Sequence, residues 1–423
     1  MKKSYIYFQP EYVSKFQCDG QACNAHCCRN WNIDIDKKTY KKYSAIKPKS
    51  NAREITKKIK FDNKVQKYRV ILNEKLSCPF LTEDNWCSIQ RTYGEDFLSN
   101  ICTTYPRVVS QVGDFFERTL TLSCPVAANL ILRPTEPMAF EQIELSEIAH
   151  RKSCKENMLN IKDQSFSECI INIQYAVISI LQERNLTIDQ RLIIVGYFFD
   201  QLEELLNADK MSEVETLAKI FSSEDFLKTQ ALDLVNSIDF NIREYIELMI
   251  NILEKLYGDN EALKFDARDY IIVVIQMLEI KTDKNNTASI TELVNTYKKY
   301  SSEREKFLER HSTLFENYLV QEFFAGMYPC HVEGSIKHNY GVFLITYKVL
   351  ELMAVARSVM AKRLAKSAGI EQLAKEEETK DLIKLISWFS VKIDHSKNYM
   401  NPISEWLKDR EDIIKIMRAL LEK

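Results

Sequence analysis

Apolar residues recur at steps of three and four along the later two thirds of the chain. Phe166, Ile170, Ile173, Val177 and Ile180 form one series. Leu192, Val195, Phe199, Leu202 and Leu206 form another, opening just behind a capping residue at Asp189, and Ile242, Ile246, Met249, Leu253 and Leu256 form a third. This spacing puts each set on one face of an α-helix, and such faces are read as core rather than chemistry. Ile403 to Leu421 reads as one more amphipathic helix after Pro402. The helix breakers agree: between Pro137 and Pro329 there is no proline, and only Gly196, Gly258 and Gly326 supply glycine. Their scarcity argues against a sheet with tight turns. Residues 140–423 are therefore expected to be a mostly helical body without a fixed-period repeat. Thr282–Ser289 is expected to be an exposed loop in it, and Lys375–Lys380 a solvated helix surface.

Cysteine changes the picture in the first third. Of 11 cysteines, eight fall between Cys18 and Cys124: Cys18, Cys23, Cys27, Cys28, Cys78, Cys87, Cys102 and Cys124. Cys154, Cys169 and Cys330 are scattered and are read as small buried apolar residues. The fold expected is mainly α: a small, irregular, cysteine-rich metal-binding domain over residues 1–137, packed on a multi-helix body over 138–423. Pro125, Pro134 and Pro137 close the first domain.

Thiolates are strong ligands for zinc or iron–sulfur clusters, and four soft ligands must converge on each site. A short loop can bring two or three together at little entropic cost, with the rest arriving from later in the chain. Eight cysteines match two four-ligand sites, or one site with bystanders. The adjacent Cys27 and Cys28 would point apart on an extended backbone, so both reach one metal only through a bent loop. His26 is a further candidate ligand. The spacing matches neither an ordinary zinc ribbon nor a standard ferredoxin.

A formal net charge of −2 gives no global reason to expect nucleic-acid or membrane binding. Pro10 and Glu11 interrupt the amino-terminal stretch before it reaches signal-peptide length, and Lys348 and Glu351 interrupt the richest apolar run, Val342–Ala356. A cytoplasmic protein without a transmembrane segment is expected. In that reducing setting clustered thiols are metal ligands or catalytic groups rather than disulfides.

The motifs then carry a resemblance. Cys18-x4-Cys23-x3-Cys27-Cys28 is followed by Trp31, by Ile33-Asp-Ile-Asp36 and by Thr39-Tyr40. Later come Cys78-Pro-Phe-Leu-x5-Cys87-x-Ile-Gln, Tyr93-Gly94-Glu95, Leu98-Ser99, Cys102-x2-Tyr-Pro-Arg107 and Leu120-x2-Ser-Cys-Pro125. Across residues 18–130 this order resembles the flagellin lysine-N-methylases of bacteria, and more loosely a wider group of small zinc- or iron-chelating proteins. The long helical body favours the methylases. The resemblance implies methyl transfer from S-adenosylmethionine to lysine side chains of flagellin. It also implies an iron–sulfur cluster, 4Fe–4S in preference to zinc, held by the eight cysteines. It assigns no catalytic residue.

Lysine methylation needs a neutral amine, and with a free pKa near 10.4 roughly one lysine in a few thousand is neutral at pH 7. A carboxylate, tyrosine or water chain must take the proton. Tyr93, Glu95, Tyr105 and Glu117 lie in the matched region and have suitable chemistry. No Gly-x-Gly loop follows a strand, and the Cys-x3-Cys-x2-Cys spacing of radical enzymes using S-adenosylmethionine is absent. The competing readings are a non-enzymatic metal-binding protein whose helices bind a partner, and a redox protein.

Overall fold

The structure is a computed structural model. It describes all residues except 1–3, 21–22, 24–25, 30–31, 147–159, 162–163, 259–265, 280–288, 330–334, 368–373, 393–396, 409, 411 and 423. At 26, 160–161, 164–168, 257–258, 266–269, 392 and 397–398 it describes the backbone alone. The expected loop at 282–288, Trp31, Cys154, Cys330 and the His26 side chain thus lie outside the described residues. The chain divides into two compact units, Met1–Leu130 with Ala139–Lys162, and Ile131–Met138 with Asp163–Lys423.

The first unit contains two sheets, where the sequence reading expected an irregular domain. The larger has strands β1 (Ser4–Pro10), β5 (Arg107–Val112), β6 (Phe115–Leu120), β7 (Phe140–Ser146) and β8 (Asn160–Ile161), in the order β7-β1-β6-β5-β8. β5 and β6 form a hairpin closed by Gly113-Asp114, and Gly113 takes a φ of +54°, which glycine accepts without steric cost. β1 runs parallel to β6 with Tyr7 opposite Phe116, and antiparallel to β7 with Ser4 opposite Ser146. Tyr7, Val109 and Phe116 are buried on one face, with Tyr5, Ile143 and Leu145 packed around them. Phe140–Ser146 therefore belongs to this sheet and not to the helical body. Its alternating Glu141-x-Ile143-Glu144-Leu145 pattern has the period of a strand.

A smaller sheet has β2 (Asp34–Ile35), β3 (Ile59–Asp62) and β4 (Lys67–Val70) in the order β2-β4-β3. With helices Lys37–Ser44, Lys49–Thr56 and Ser88–Tyr93 it surrounds a core of Ile33, Ile35, Tyr43, Ile55, Cys78 and Phe80.

The second unit is a multi-helix body. The apolar faces read from the sequence are inside it: Ile170, Ile173, Val177 and Ile180 are fully buried, as are Leu192, Val195 and Leu202. Ile246, Met249, Leu253 and Leu256 are buried likewise. Residues Ile131–Met138 join this unit through local bonds, since Asn317 donates to the Pro134 carbonyl at 2.8 Å and Gln182 to that of Met138 at 3.2 Å.

Three details differ from the expectations. The helix Ile188–Asn207 is capped by Thr187, not Asp189: Thr187 Oγ1 accepts from Gln190 N, and the Gln190 side chain accepts from Thr187 N at 2.9 Å. The carboxy-terminal stretch is two helices, Lys397–Lys408 with Pro402 inside it and Ile413–Leu420 capped by Asp412. Lys375–Lys380 opens the helix Lys375–Lys392, but Glu378 within it is buried.

Asp189, released from capping, enters a buried ionic network. Arg304 meets it at 2.8 Å and reaches Glu351 with Nε at 2.5 Å and Glu422 at 3.1 Å. Lys348 contacts Glu351 at 2.8 Å and Asp189 at 3.3 Å. The two charged residues that interrupt the apolar run Val342–Ala356 are thus inside the helix Ile336–Ser367 packing, each neutralising the other.

Candidate metal centre

Four segments carry the eight cysteines; backbone pairing joins the first two, and the Asp36 side chain ties down the third. Arg29 and Ser77 form an antiparallel bridge, and the next residue, Cys78, donates its N–H to the Cys28 carbonyl at 2.7 Å. Leu81 and Cys87 form a second bridge, with Ser88 N–H donating to Phe80 O at 2.7 Å. Cys87 stands immediately before the helix Ser88–Tyr93. Cys102 lies in the short helix Asn100–Thr104, which Asp36 ties down. The Asp36 carboxylate caps the helix Lys37–Ser44 by accepting from Thr39 N at 2.9 Å, and its other oxygen accepts from Asn100 N at 3.2 Å. These donors outweigh burial and hold the Asp36 carboxyl below its ordinary range.

Cys27 and Cys28 sit in a tight 3₁₀ turn, His26–Cys28, and their sulfurs are 3.9 Å apart. The bent loop required for both to face one ion is therefore present. That separation is close to the edge of a thiolate tetrahedron, about 3.8 Å for metal–sulfur bonds of about 2.3 Å. The contact with Cys28, then burial, raises the Cys27 thiol far above the usual range. For Cys28 the contact with Cys27 acts downward, but hydrogen bonding to Cys78, burial and the proximity of Cys78 and Cys102 carry it up.

Electrostatic proximity sorts the thiols into two groups that share Cys27. Cys28, Cys78, Cys87 and Cys102 pack on the core of the smaller sheet. Burial pushes Cys102 up to about 12, with Cys87 and Cys27 adding to it and Ser99 opposing. In the other group Cys124 is pushed up to about 11, by burial first and then by Cys23 and Cys27, while N–H groups of Ala127 and Val126 act downward. Cys18 is exposed. Its loop is nevertheless seated: Gly20, at φ +55°, lies so close to the Trp86 ring that an added Cβ would be 2.2 Å from Cζ3.

No disulfide joins the nine described cysteines. Among the described residues, no three His, Cys, Asp or Glu side chains converge on one point as a ligand set. The donor chemistry fits a thiophilic metal nonetheless: crowded, half-buried thiols repel one another as thiolates, and a bound cation relieves that repulsion.

The candidate proton acceptors separate by position. Glu95 is exposed, and Tyr93 is partly buried beside Phe97. Glu117 is buried in β6. Tyr105 lies nearest the thiols; its hydroxyl is 3.2 Å from Ser123 Oγ, and burial followed by Cys124, Cys27 and Cys23 raises its pKa. Tyr43, which the motif reading passed over in favour of Thr39-Tyr40, is buried beside Cys102, Cys87 and Cys78. Its place on the inner face of the amphipathic helix Lys37–Ser44 was the available signal.

A thiol-rich sheet unit on a chain that continues into a helical unit defines a class that comparison identifies. Residues 174–421 match the family described as the FliB lysine N-methylase C-terminal domain, and the chain belongs to that family. It is 33% identical over 137 residues to lysine-N-methylases of Salmonella typhimurium and Salmonella choleraesuis, covering 32% of this chain and 34% of each relative. The match thus spans about a third of the length of those relatives. It is 34% identical over 134 residues to the flagellar biosynthetic protein FliU of Salmonella muenchen, covering 31% of this chain and 79% of that protein. No solved structure matches. Among the described residues no helix is long and apolar enough to cross a membrane.

Proposed function

We propose that this protein is a methyltransferase that transfers methyl groups from S-adenosylmethionine to lysine side chains of flagellin. Membership of the FliB lysine N-methylase family, carried by residues 174–421, supports this reading most. The flagellar name of the FliU relative supports a flagellar protein as substrate. The reading includes a metal centre in the first unit, with Cys28, Cys78, Cys87 and Cys102 as one ligand group and Cys23, Cys27 and Cys124 as the other. Cys18, which is exposed, is the eighth candidate ligand and is assigned to neither group.

The donor would supply an electrophilic methyl on a sulfonium. The protein must hold the amine in line and remove its proton, because the ammonium has no lone pair. The buried Glu117 is the carboxylate of the first unit that this reading assigns to take the proton, whereas burial and the neighbouring Cys124 keep Tyr105 protonated and fit it to donate a hydrogen bond. An iron–sulfur cluster is the centre that the motif resemblance favours. The 3.9 Å separation of Cys27 and Cys28 favours a second reading, a single zinc-like ion held by both.

Co-expression with flagellin tests the reading. Peptide mass spectrometry should find N-methyl-lysine on flagellin only when this chain is present. Flagellin that stays unmodified beside soluble, metal-loaded protein would contradict it.

A further inference from the structure

The helical unit contains a recess of about 240 Å³ between the helices Ile336–Ser367 and Lys375–Lys392. It exists because Ala354, Ser358 and Ala361 follow one another on one face of the longer helix, at steps of four and three, and their small side chains leave the groove unfilled. Phe307, Leu382 and Leu385 complete an apolar floor.

The rest of the lining is charged and balanced. Arg357, Lys380 and Lys384 face Glu377, Glu378 and Asp381. Two of the carboxylates are already fixed. Arg357 grips Asp381 through two nitrogens, with Nη2 at 2.6 Å from Oδ1. Glu378 accepts from Ser358 at 2.6 Å and Arg310 at 2.6 Å, with His311 at 3.4 Å. Lys384 is exposed and makes no ion pair among the described residues, and Glu377 has only a distant contact with Lys380 at 3.8 Å. Lys380 is held only loosely, by Glu376 at 3.7 Å and Glu377 at 3.8 Å, so the Lys384 ammonium and the Glu377 carboxylate are the least engaged charges of their sign beside the apolar floor.

A balanced lining of this kind disfavours a ligand of high net charge and matches a zwitterion. The volume lies below the roughly 300–1,000 Å³ usual for a whole drug-sized ligand, so it suits one end of a larger molecule. We infer that this recess receives the aminoacyl end of the methyl donor, its carboxylate toward Lys384 and its ammonium toward Glu377. The inference rests on the proposed methyltransferase function.

The test is isothermal titration with S-adenosylhomocysteine and with 5′-methylthioadenosine, which lacks the aminoacyl end. Ala361→Phe fills the recess, and Lys384→Glu reverses the free charge at an exposed position that does not threaten folding. Each variant is expected to weaken S-adenosylhomocysteine binding roughly tenfold and to leave 5′-methylthioadenosine unchanged. Unaltered S-adenosylhomocysteine affinity in a folded Lys384→Glu protein would overturn the site and leave the function standing. No S-adenosylhomocysteine binding by the wild-type protein would remove both.

Discussion

Cys78 donates its backbone N–H to the carbonyl of Cys28 at 2.7 Å, across fifty residues of chain, so the second cysteine motif is pinned to the first by backbone pairing. That pairing joins the first two cysteine motifs through the backbone, and no disulfide links the described cysteines. A centre assembled in this way should be sensitive to the residues that shape its loops, even where they carry no sulfur.

Gly20 is the sharpest case. A side chain there meets the Trp86 ring at 2.2 Å and must also adopt φ +55°, a conformation costing roughly 1–2 kcal/mol for other L-residues. Gly20→Ala is expected to lower thermal stability of the metal-loaded protein by a few degrees and to shift tryptophan fluorescence as Trp86 moves. An unchanged melting temperature and spectrum would show that the loop is not seated on Trp86.

Asp36 links two helices through one carboxylate. Asp36→Ala removes the cap of Lys37–Ser44 and the acceptor for Asn100 N–H, at a cost of about 1–2 kcal/mol. Urea unfolding should register that loss. The Cys102 thiol, whose helix begins at Asn100, should react faster with a thiol reagent in the variant.

The ionic network of the helical unit is expected to be costly to break on one side. Lys348→Met leaves Asp189 and Glu351 buried with Arg304 as their remaining close cation, and should destabilise by about 3–5 kcal/mol. A urea midpoint unchanged from wild type would show that the lysine is not the buried counter-ion.

Acid should act on the same unit. Burial disfavours the charged form of Glu351, but Arg304 and Lys348 outweigh it and hold its carboxyl below the usual carboxylate range. Glu378 is held at about 2: burial acts upward, and His311, Ser358, Arg310 and Lys362 outweigh it. Both values are depressed in the folded state. The stability they contribute is therefore present above the unfolded carboxyl value of about 4.3 and is lost as pH falls toward 2. Glu378 can contribute on the order of 3 kcal/mol. Glu378→Gln should flatten the acid limb of the stability curve between about pH 4 and 2, and a limb as steep as wild type would contradict the assignment.

The helical faces were legible because burial repeats with the period of the helix, as in Ile170, Ile173, Val177 and Ile180. The sheets were not. Tyr7 pairs with Phe116 across more than a hundred residues, and a parallel pairing of that range leaves no local trace. Phe140–Ser146 showed alternation, but over a stretch too short to outweigh the absence of breakers beyond it. Cap preference suggested Asp189, whereas buried Arg304 and Lys348 claimed its carboxylate and left the cap to Thr187. At Lys375–Lys380 the charge run hid Glu378, although its spacing to Leu382 and Leu385 marks the inner face of that helix. The cysteine pattern supplied the eight candidates for the centre. Their grouping around Cys27 depended on the 3₁₀ turn at His26–Cys28 and on the bridges at Ser77 and Leu81, which spacing does not encode.

The central claim is that lysine methyl transfer depends on the thiol centre. The most direct measurement uses isotopically labelled S-adenosylmethionine and flagellin, with protein purified without oxygen and its Cys78→Ser variant assayed side by side. Label on flagellin lysines with the wild type, and loss of both label and bound metal in a folded variant, is the predicted result. Equal labelling by a variant that has lost its metal would contradict the account, reducing the centre to a structural element of a methyltransferase that works without it.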